Sequence, residues 1–111
     1  MLLGTRDWHS LDETGWLRSI YQKTKERRSL DRIPTPNAVM VRFTRRGNFT
    51  NALLWTQRRD PVSHRAKDYF SVGISKRNPC DVPDALTGMS IALTRGLEQL
   101  NEEFTTERGN Q

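Results

Sequence analysis

The chain has 111 residues, of which 34% are hydrophobic and 28% charged, and its net charge is +5. This length predicts one domain, and three Trp, four Phe and two Tyr argue against a disordered chain. The single cysteine excludes an internal disulfide and a cysteine-rich zinc site. The first residues lack the pattern of a secretory signal and no stretch has the apolar length of a membrane span. We therefore expect a soluble cytoplasmic protein without a membrane partner.

The charge is divided between two parts of the chain. Residues 42–77 contain nine Lys and Arg against two acids, a net charge of +7. Residues 81–111 contain two Arg against six acids, a net charge of −4. A basic segment of this density favours a polyanionic partner, because contacts with phosphates are made by Lys and Arg.

The first predicted element is a helix over residues 11–28. Ser10-Leu11-Asp12-Glu13 has the pattern of a capping box, in which the serine and the glutamate satisfy free N–H groups at the helix start. Apolar side chains then recur at steps of three and four, as one helix face requires; they are Trp16, Leu17, Ile20, Tyr21 and Thr24. Basic residues in the last turns suit the negative end of the helix dipole.

A β-hairpin is predicted next, with strands at 38–44 and 49–57. Alternation in the first strand places Val39, Val41 and Phe43 on one face and Met40, Arg42 and Thr44 on the other. Residues 45–48, Arg-Arg-Gly-Asn, predict a tight turn, since Gly and Asn tolerate the positive φ angles that such turns use.

A third strand is predicted at 69–75, after a polar loop over residues 58–68. Its alternation predicts burial of Phe70, Val72 and Ile74. Consecutive strands joined by short connections pair antiparallel, so these three form one sheet.

A second helix follows a loop that contains Asp81 and Asp84, either of which can cap it. Its apolar stripe consists of Met89, Leu93, Leu97, Leu100 and Phe104. A parallel row of small residues, Gly88, Ala92 and Gly96, predicts a close approach to the sheet, with a homodimer contact as the alternative. We expect either a monomer or a homodimer.

The predicted fold is therefore α+β, in the order α-β-β-β-α, with a three-stranded antiparallel sheet covered on one face by two helices. Residues 10–104 would form the single domain, residues 1–9 an N-terminal extension and residues 105–111 a flexible acidic tail. The order of elements resembles that of the double-stranded-RNA-binding domain. That family places a cluster of lysines at the start of its second helix, and residues 81–88 have none.

Eight basic residues are the candidate nucleic-acid contacts: Arg45, Arg46, Arg58, Arg59, Arg65, Lys67, Lys76 and Arg77. In the predicted topology they form two groups at opposite ends of the sheet. The group around Arg58 would lie near the basic end of helix 1, where the acids of helix 2 can mask it. Trp55 and Tyr69 are candidates for stacking on bases or for contact with a partner, if they face the open side of the sheet.

Enzyme chemistry has little support in the sequence. Two histidines and one cysteine do not make a zinc site, and no spacing of carboxylates distinguishes a nuclease from ordinary caps and turns. No phosphate-binding glycine loop is present. We predict no catalytic residues, no metal and no cofactor, with a small hydrolase or nuclease as a remote alternative.

Two segments resemble a group of small uncharacterised bacteriophage accessory proteins. Residues 71–81 combine a Val-Gly strand with an Asn-Pro-x-Asp turn, and residues 88–96 have a Gly-x-x-x-Ala-x-x-Arg helix. The similarity extends over about half of the chain. It implies a viral accessory protein in the host cytoplasm and does not imply an activity.

The leading hypothesis for function is a non-enzymatic protein that binds DNA or RNA through its basic loops. The alternative is an inhibitor or adaptor that binds a host protein, such as a component of defence or transcription, through the open sheet face and charged loops. Because phosphate binding weakens steeply with salt, a salt titration separates the two hypotheses.

Overall fold

Within the described residues, 7–78 and 84–109, with side chains described to residue 105, an antiparallel sheet of four strands has two helices on one face. The computed structural model contains β1 (His9–Ser10), α1 (Gly15–Arg28), a 3-10 turn (Pro36–Ala38), β2 (Val39–Arg46), β3 (Phe49–Arg59), β4 (Ala66–Lys76) and α2 (Ala85–Gly109). The strands lie side by side in chain order. The α+β class is confirmed, whereas the predicted count of three strands is one too few.

The additional strand is β1, which consists of two residues. His9 pairs with Val41 and Ser10 with Met40, and the Leu11 N–H donates to the Val39 carbonyl at 3.0 Å. A two-residue strand is too short to show alternation, so no periodic pattern predicted it. Strand β1 pairs with Met40 and Val41 of the eight-residue β2 and leaves β4 as the long edge of the sheet.

Helix α1 begins at Gly15, four residues later than predicted, because Thr14 is its cap. The Thr14 hydroxyl oxygen accepts the Leu17 N–H at 3.1 Å. The predicted capping box is wrong: Ser10 lies in β1 and its hydroxyl donates to Asp12 at 2.8 Å. Glu13 contacts His9 instead of returning to the helix start.

The hairpin between β2 and β3 turns at Gly47 and Asn48, the second half of the predicted turn over residues 45–48; Arg45 and Arg46 belong to β2. Gly47 has a φ of +61°, and glycine at the first of two turn residues is typical of hairpins with a right-handed twist. The turn brings Arg46 opposite Phe49.

Strands β3 and β4 are longer than predicted, so the loop between them is only residues 60–65. The Asp60 N–H donates to the Arg65 carbonyl at 2.9 Å and closes the turn. As a result Arg58 and Lys67 are cross-strand partners in the sheet, where the sequence predicted loop residues.

The core lies between the helices and one sheet face. Val39, Val41 and Phe43 of β2 are buried as predicted. The predicted apolar stripe of α2 is also buried in full, namely Met89, Leu93, Leu97, Leu100 and Phe104. Helix α1 contributes Leu17 and Tyr21.

Strand β4 faces the opposite way from the prediction. Phe70, Val72 and Ile74 are 51%, 47% and 49% exposed on the open face, and Ser71, Gly73 and Ser75 are buried against α2. The reason is the row of small residues on α2, which packs against its own sheet. A Cβ on Gly88 would lie 2.9 Å from Thr50 Oγ1, and Gly96 lies against Leu54 and the backbone of Gly73.

Helix α2 is capped by Asp84, one of the two predicted caps. Its carboxylate accepts the Leu86 and Thr87 N–H groups at 3.1 and 3.3 Å. The hydrogen bond from the Thr87 hydroxyl lowers the Asp84 pKa, and the two backbone N–H bonds lower it further. The other candidate, Asp81, lies outside the described residues, as does Cys80. The helix continues to Gly109 and so includes the first residues of the predicted tail.

Candidate nucleic-acid interface

The open face of the sheet carries a row of apolar side chains on β3 and β4. Cross-strand pairing places Trp55 beside Phe70 and Leu53 beside Val72. Alternation directs these side chains away from the helices, because residues i and i+2 share a face. Most large apolar surfaces of a folded chain are buried, so an exposed row of this size marks a contact surface.

Aromatic rings form one end of that row. The Trp8 and Trp55 rings meet edge to face, with centroids 6.0 Å apart, and Phe70 is the next ring along the sheet. The Trp55 indole N–H donates to Asp68 at 3.0 Å, and Gln57 donates to the same carboxylate oxygen at 2.8 Å. These two bonds fix the indole on the surface, and they lower the pKa of the Asp68 carboxyl, since both stabilise its ionised form.

Basic side chains lie at both ends of the same face. Arg46 and Lys76 are the cross-strand partners of Phe49 and lie on either side of it. The Lys76 ammonium is 5.7 Å from the Phe49 ring centroid. Arg59 lies at the other end of β3. The face therefore combines an apolar row, which includes the Trp55 and Phe70 pair, with positive charge at both of its ends.

Arg42 is a further cation of this face that was not among the eight predicted contacts. Its guanidinium lies 5.3 Å from the Trp8 ring centroid, and its Nε is buried with no hydrogen-bond partner among the described residues. The alternation of β2 had already placed Arg42 opposite the core, so the signal was present in the sequence.

The eight predicted contacts do not form one surface. Arg46, Arg59 and Lys76 lie on the open face, and Arg65 lies in the turn between β3 and β4. By the same alternation Arg45, Arg58, Lys67 and Arg77 lie on the helix side of the sheet. The structure thus brings three of the eight together with the exposed aromatics.

The predicted separation into two ends is confirmed. Arg58, Arg59 and Lys67 line a cleft of about 630 Å³ together with Arg32, which follows the basic end of α1. Arg45, Lys76 and Arg77 line a second cleft of about 410 Å³ at the opposite end.

Tyr69 is placed differently from its predicted role. It packs on the helix side against Phe104, with ring centroids 4.7 Å apart. Arg58 covers the Phe104 ring at 4.8 Å and Lys67 the Tyr69 ring at 5.2 Å. Tyr69 therefore belongs to the edge of the core, and of the two predicted stacking residues only Trp55 faces the open side.

One acid of α2, Glu98, pairs with the end of α1 and not with the group around Arg58 that α2 was predicted to mask. Glu98 lies 3.6 Å from Arg28, at the basic end of α1. Both side chains are well exposed, and such surface pairs contribute only about 0–1 kcal/mol. Glu98 is on the covered side of the sheet, so it does not reach the open face.

The Asp60 carboxylate serves the turn between β3 and β4. It accepts the Val62 and Ser63 N–H groups at 2.8 and 3.4 Å, and these bonds lower its pKa. A structural role therefore accounts for this acid. In the described part of the chain no three His, Cys, Asp or Glu side chains converge as a metal site would need.

Neither described helix combines the length and the apolar content that a membrane crossing requires.

Comparisons with known proteins do not assign the chain to a family. No family model, no curated protein and no solved structure matches the chain. The resemblance to small bacteriophage proteins accordingly stays a prediction, and part of its turn motif, residues 79–81, lies outside the described residues.

Proposed function

We propose that this protein binds single-stranded nucleic acid on the open face of its sheet. The observation that carries the proposal is the pair Trp55 and Phe70, side by side on a face without helices and flanked by cations at both ends. Sequence-tolerant binding of single strands uses this combination, since every base has a face that stacks on an aromatic ring. The cytoplasm of a host cell is the setting we expect.

The aromatic residues supply the stacking surface. Phe70 and Phe49 are 51% and 44% exposed, so a base can cover either ring without displacing the core. Trp55 is half-buried and held by Asp68, so less of its freedom is lost on binding. Stacking on one such ring contributes about 1–3 kcal/mol per base.

The cations supply the phosphate contacts. If Arg46, Arg59 and Lys76 each engage one phosphate, log affinity falls with log salt at a slope of about −2 for a single strand. If all eight predicted cations took part, the slope would be about −6. The measured slope therefore distinguishes binding on the open face from binding around the whole basic segment.

A single strand fits this face better than a duplex does. The exposed rings lie in a sheet surface and reach only bases that are unstacked and turned outward. The bases of a duplex are stacked inside it, so a duplex would gain phosphate contacts alone. We expect single-stranded DNA or RNA to bind more tightly than the matched duplex at equal salt.

The test is fluorescence anisotropy with labelled single-stranded DNA, single-stranded RNA and duplexes over a range of salt concentrations. We expect F70A and F70L to weaken binding by about fivefold to 100-fold, because neither keeps a ring for stacking. V62A is the matched control, since Val62 is 87% exposed in the distant turn.

Charge is tested separately with R46Q/K76Q, which we expect to reduce the salt slope by about 1.4. K23Q/R27Q removes the same charge from α1, on the covered side of the sheet, and should leave the slope unchanged. Absence of binding at about 50 mM salt, where phosphate contacts are strong, would overturn the proposal. Equal effects of the two double variants would also count against it.

A partner protein is the second candidate, and a specific observation favours it. Val72 and Ile74 are exposed aliphatic side chains next to the aromatic pair, and aliphatic groups do not stack on bases. An apolar centre with a polar rim is the usual form of a protein interface. An inhibitor or adaptor of host defence or transcription would use it.

Two measurements separate this candidate from nucleic acid. A partner protein should be recovered by pull-down after nuclease treatment, and it should tolerate F70L but not I74S. Loss of the captured protein on nuclease treatment would contradict direct protein binding.

A further inference from the structure

Strand β4 is the long edge of the sheet, and among the described residues no strand pairs with its outer side. It has 11 residues and pairs with β3 on one side. It contains no proline and no long run of charge, the usual devices that prevent one edge from pairing with another. On the opposite side β1 pairs only with Met40 and Val41, so residues 42–46 of β2 form a second, shorter edge among the described residues, and three of these five residues are arginines, a charge density that disfavours pairing. An edge such as β4 is able to pair with a further strand.

The free backbone groups of β4 belong to its even-numbered residues. The backbone N–H of Arg77 donates to the Asn48 carbonyl at 2.7 Å. This bond places the odd-numbered residues of β4 in hydrogen-bonded pairs with β3. In an antiparallel ladder alternate residues direct both N–H and C=O to the same neighbour. The Ile74 carbonyl accordingly points away from β3, where it accepts the Arg95 guanidinium at 2.6 Å.

We propose that two copies of this chain pair antiparallel along β4 and join their sheets into one. In a two-fold arrangement centred on Val72, each Val72 faces the other and Phe70 faces Ile74. Asp68 then faces Lys76, so opposite charges meet at both ends of the apolar centre. All of these residues are even-numbered, so the pairs are those whose backbone groups are directed outward.

Neighbouring registers lack this complementarity. Centring the axis on Ser71 sets Asp68 against Ile74, and centring it on Gly73 sets Lys76 against Phe70. Cross-strand pairs stabilise a sheet when charges are opposite or apolar groups meet. The Val72 register is the one of these three in which both conditions hold.

Helix α2 offers a second contact along the same edge. Ile91 is 39% exposed and lies one turn before Arg95, on the side of the helix that faces the edge. In the paired sheets the two α2 helices approach each other over the axis, and Ile91 becomes covered. The open face remains free in the dimer, so this inference goes beyond the proposed function and does not depend on it.

Arg95 opposes the pairing in the monomer. Its guanidinium occupies the Ile74 carbonyl, which would accept the Phe70 N–H of the other copy. Pairing therefore requires Arg95 to release this carbonyl. We expect R95A to dimerise more tightly than the wild-type chain.

The experiment is sedimentation velocity of the nuclease-treated full chain, from micromolar to millimolar concentration, against the monomer mass of 12.9 kDa. The proposal expects a dimer that V72K weakens at least about tenfold, because two like charges would face each other at the axis. V62K makes the same change in the exposed turn and should dimerise normally. Circular dichroism checks that V72K is folded.

A charge exchange tests the register. D68K and K76D should each weaken the dimer, and D68K/K76D should restore it. A chain that stays monomeric throughout would overturn the proposal, as would a dimer that V72K leaves unchanged. A double variant that fails to restore pairing would overturn the register centred on Val72.

Discussion

The backbone of Gly73 in β4 lies directly against the carbonyl of Ala92 in α2. A Cβ added at Gly73 would collide with the Ala92 carbonyl oxygen and with the backbone N of Gly96. These are backbone atoms, so no side-chain rotation relieves the collision. The contact fixes how closely helix and sheet approach, and with it which face of β4 is covered.

Substitution of Gly73 by alanine should therefore be strongly destabilising. We expect G73A to lower the free energy of unfolding by more than the 1–3 kcal/mol typical of an overpacked site. G15A is the matched control, because nothing lies within 4 Å of a Cβ at Gly15. Chemical denaturation measures both, and a G73A variant as stable as G15A would contradict the observed helix position.

Gly96 offers a graded comparison at the same contact. A Cβ there would meet a methyl group of Leu54 first, and a flexible side chain can move. We expect G96A to be less destabilising than G73A in the same denaturation experiment. The reverse order would indicate that the Leu54 side of the contact is the more rigid one.

Alanine substitutions distinguish Thr14, the observed cap of α1, from Ser10, the predicted cap. T14A removes the oxygen that accepts the Leu17 N–H and should cost about 1 kcal/mol. S10A removes only a bond to Asp12 and should cost less. If S10A were the more costly change in thermal or chemical unfolding, the capping box predicted from the sequence would be restored as the true helix start.

The sequence predicted the elements well where burial and period agree. Val39, Val41 and Phe43 alternate and are buried, and the α2 stripe ending in Phe104 is buried along its length. In these segments one apolar face meets one core, so periodicity suffices. The Asp84 cap was predicted for the same kind of local reason.

Strand β4 could not be predicted from its own pattern. Alternation separates Phe70, Val72 and Ile74 from Ser71, Gly73 and Ser75, but it does not say which set faces the core. Hydrophobicity favours the first set, and the structure covers the second. The deciding term is the fit to the small residues of α2, which is a tertiary relationship between segments about 20 residues apart.

The candidate site could be predicted only in part, because topology fixes the end of the sheet at which a cation lies but not the side. Topology alone placed Arg45 and Lys76 at one end of the sheet and Arg58 at the other, as observed. It did not fix which side of the sheet each cation occupies, because that depends on exact strand ends. Because the predicted orientation of β4 was reversed, Phe70 was expected in the core and not on the open face.

The α2 core provides a test of burial as the source of stability. Leu97 is fully buried, whereas Leu86 on the same helix is 42% exposed. L97A should lower the free energy of unfolding by about 2–5 kcal/mol, and L86A should change it by less than about 1 kcal/mol. Similar losses for the two variants would mean that α2 contributes through helix propensity more than through packing.

The bond between Asp68 and Trp55 should make the indole sensitive to acid. Hydrogen bonds from Trp55 and Gln57 hold the Asp68 pKa below its ordinary value, because both stabilise the carboxylate. A carboxyl whose pKa is lowered on folding adds stability above its unfolded pKa of about 3.9, and this is lost as pH falls through the folded pKa.

The Trp55 Nε1–H resonance in a ¹⁵N–¹H spectrum follows this titration directly. Its midpoint should lie below about pH 3.9, and D68N should abolish the change. D60N is the control, since Asp60 also has a lowered pKa but serves the distant turn; it should leave the Trp55 titration intact. A midpoint at or above the ordinary value would mean that the indole is not held by the carboxylate. In that case Trp55 would not be a preorganised stacking surface, and its contribution to binding would fall accordingly.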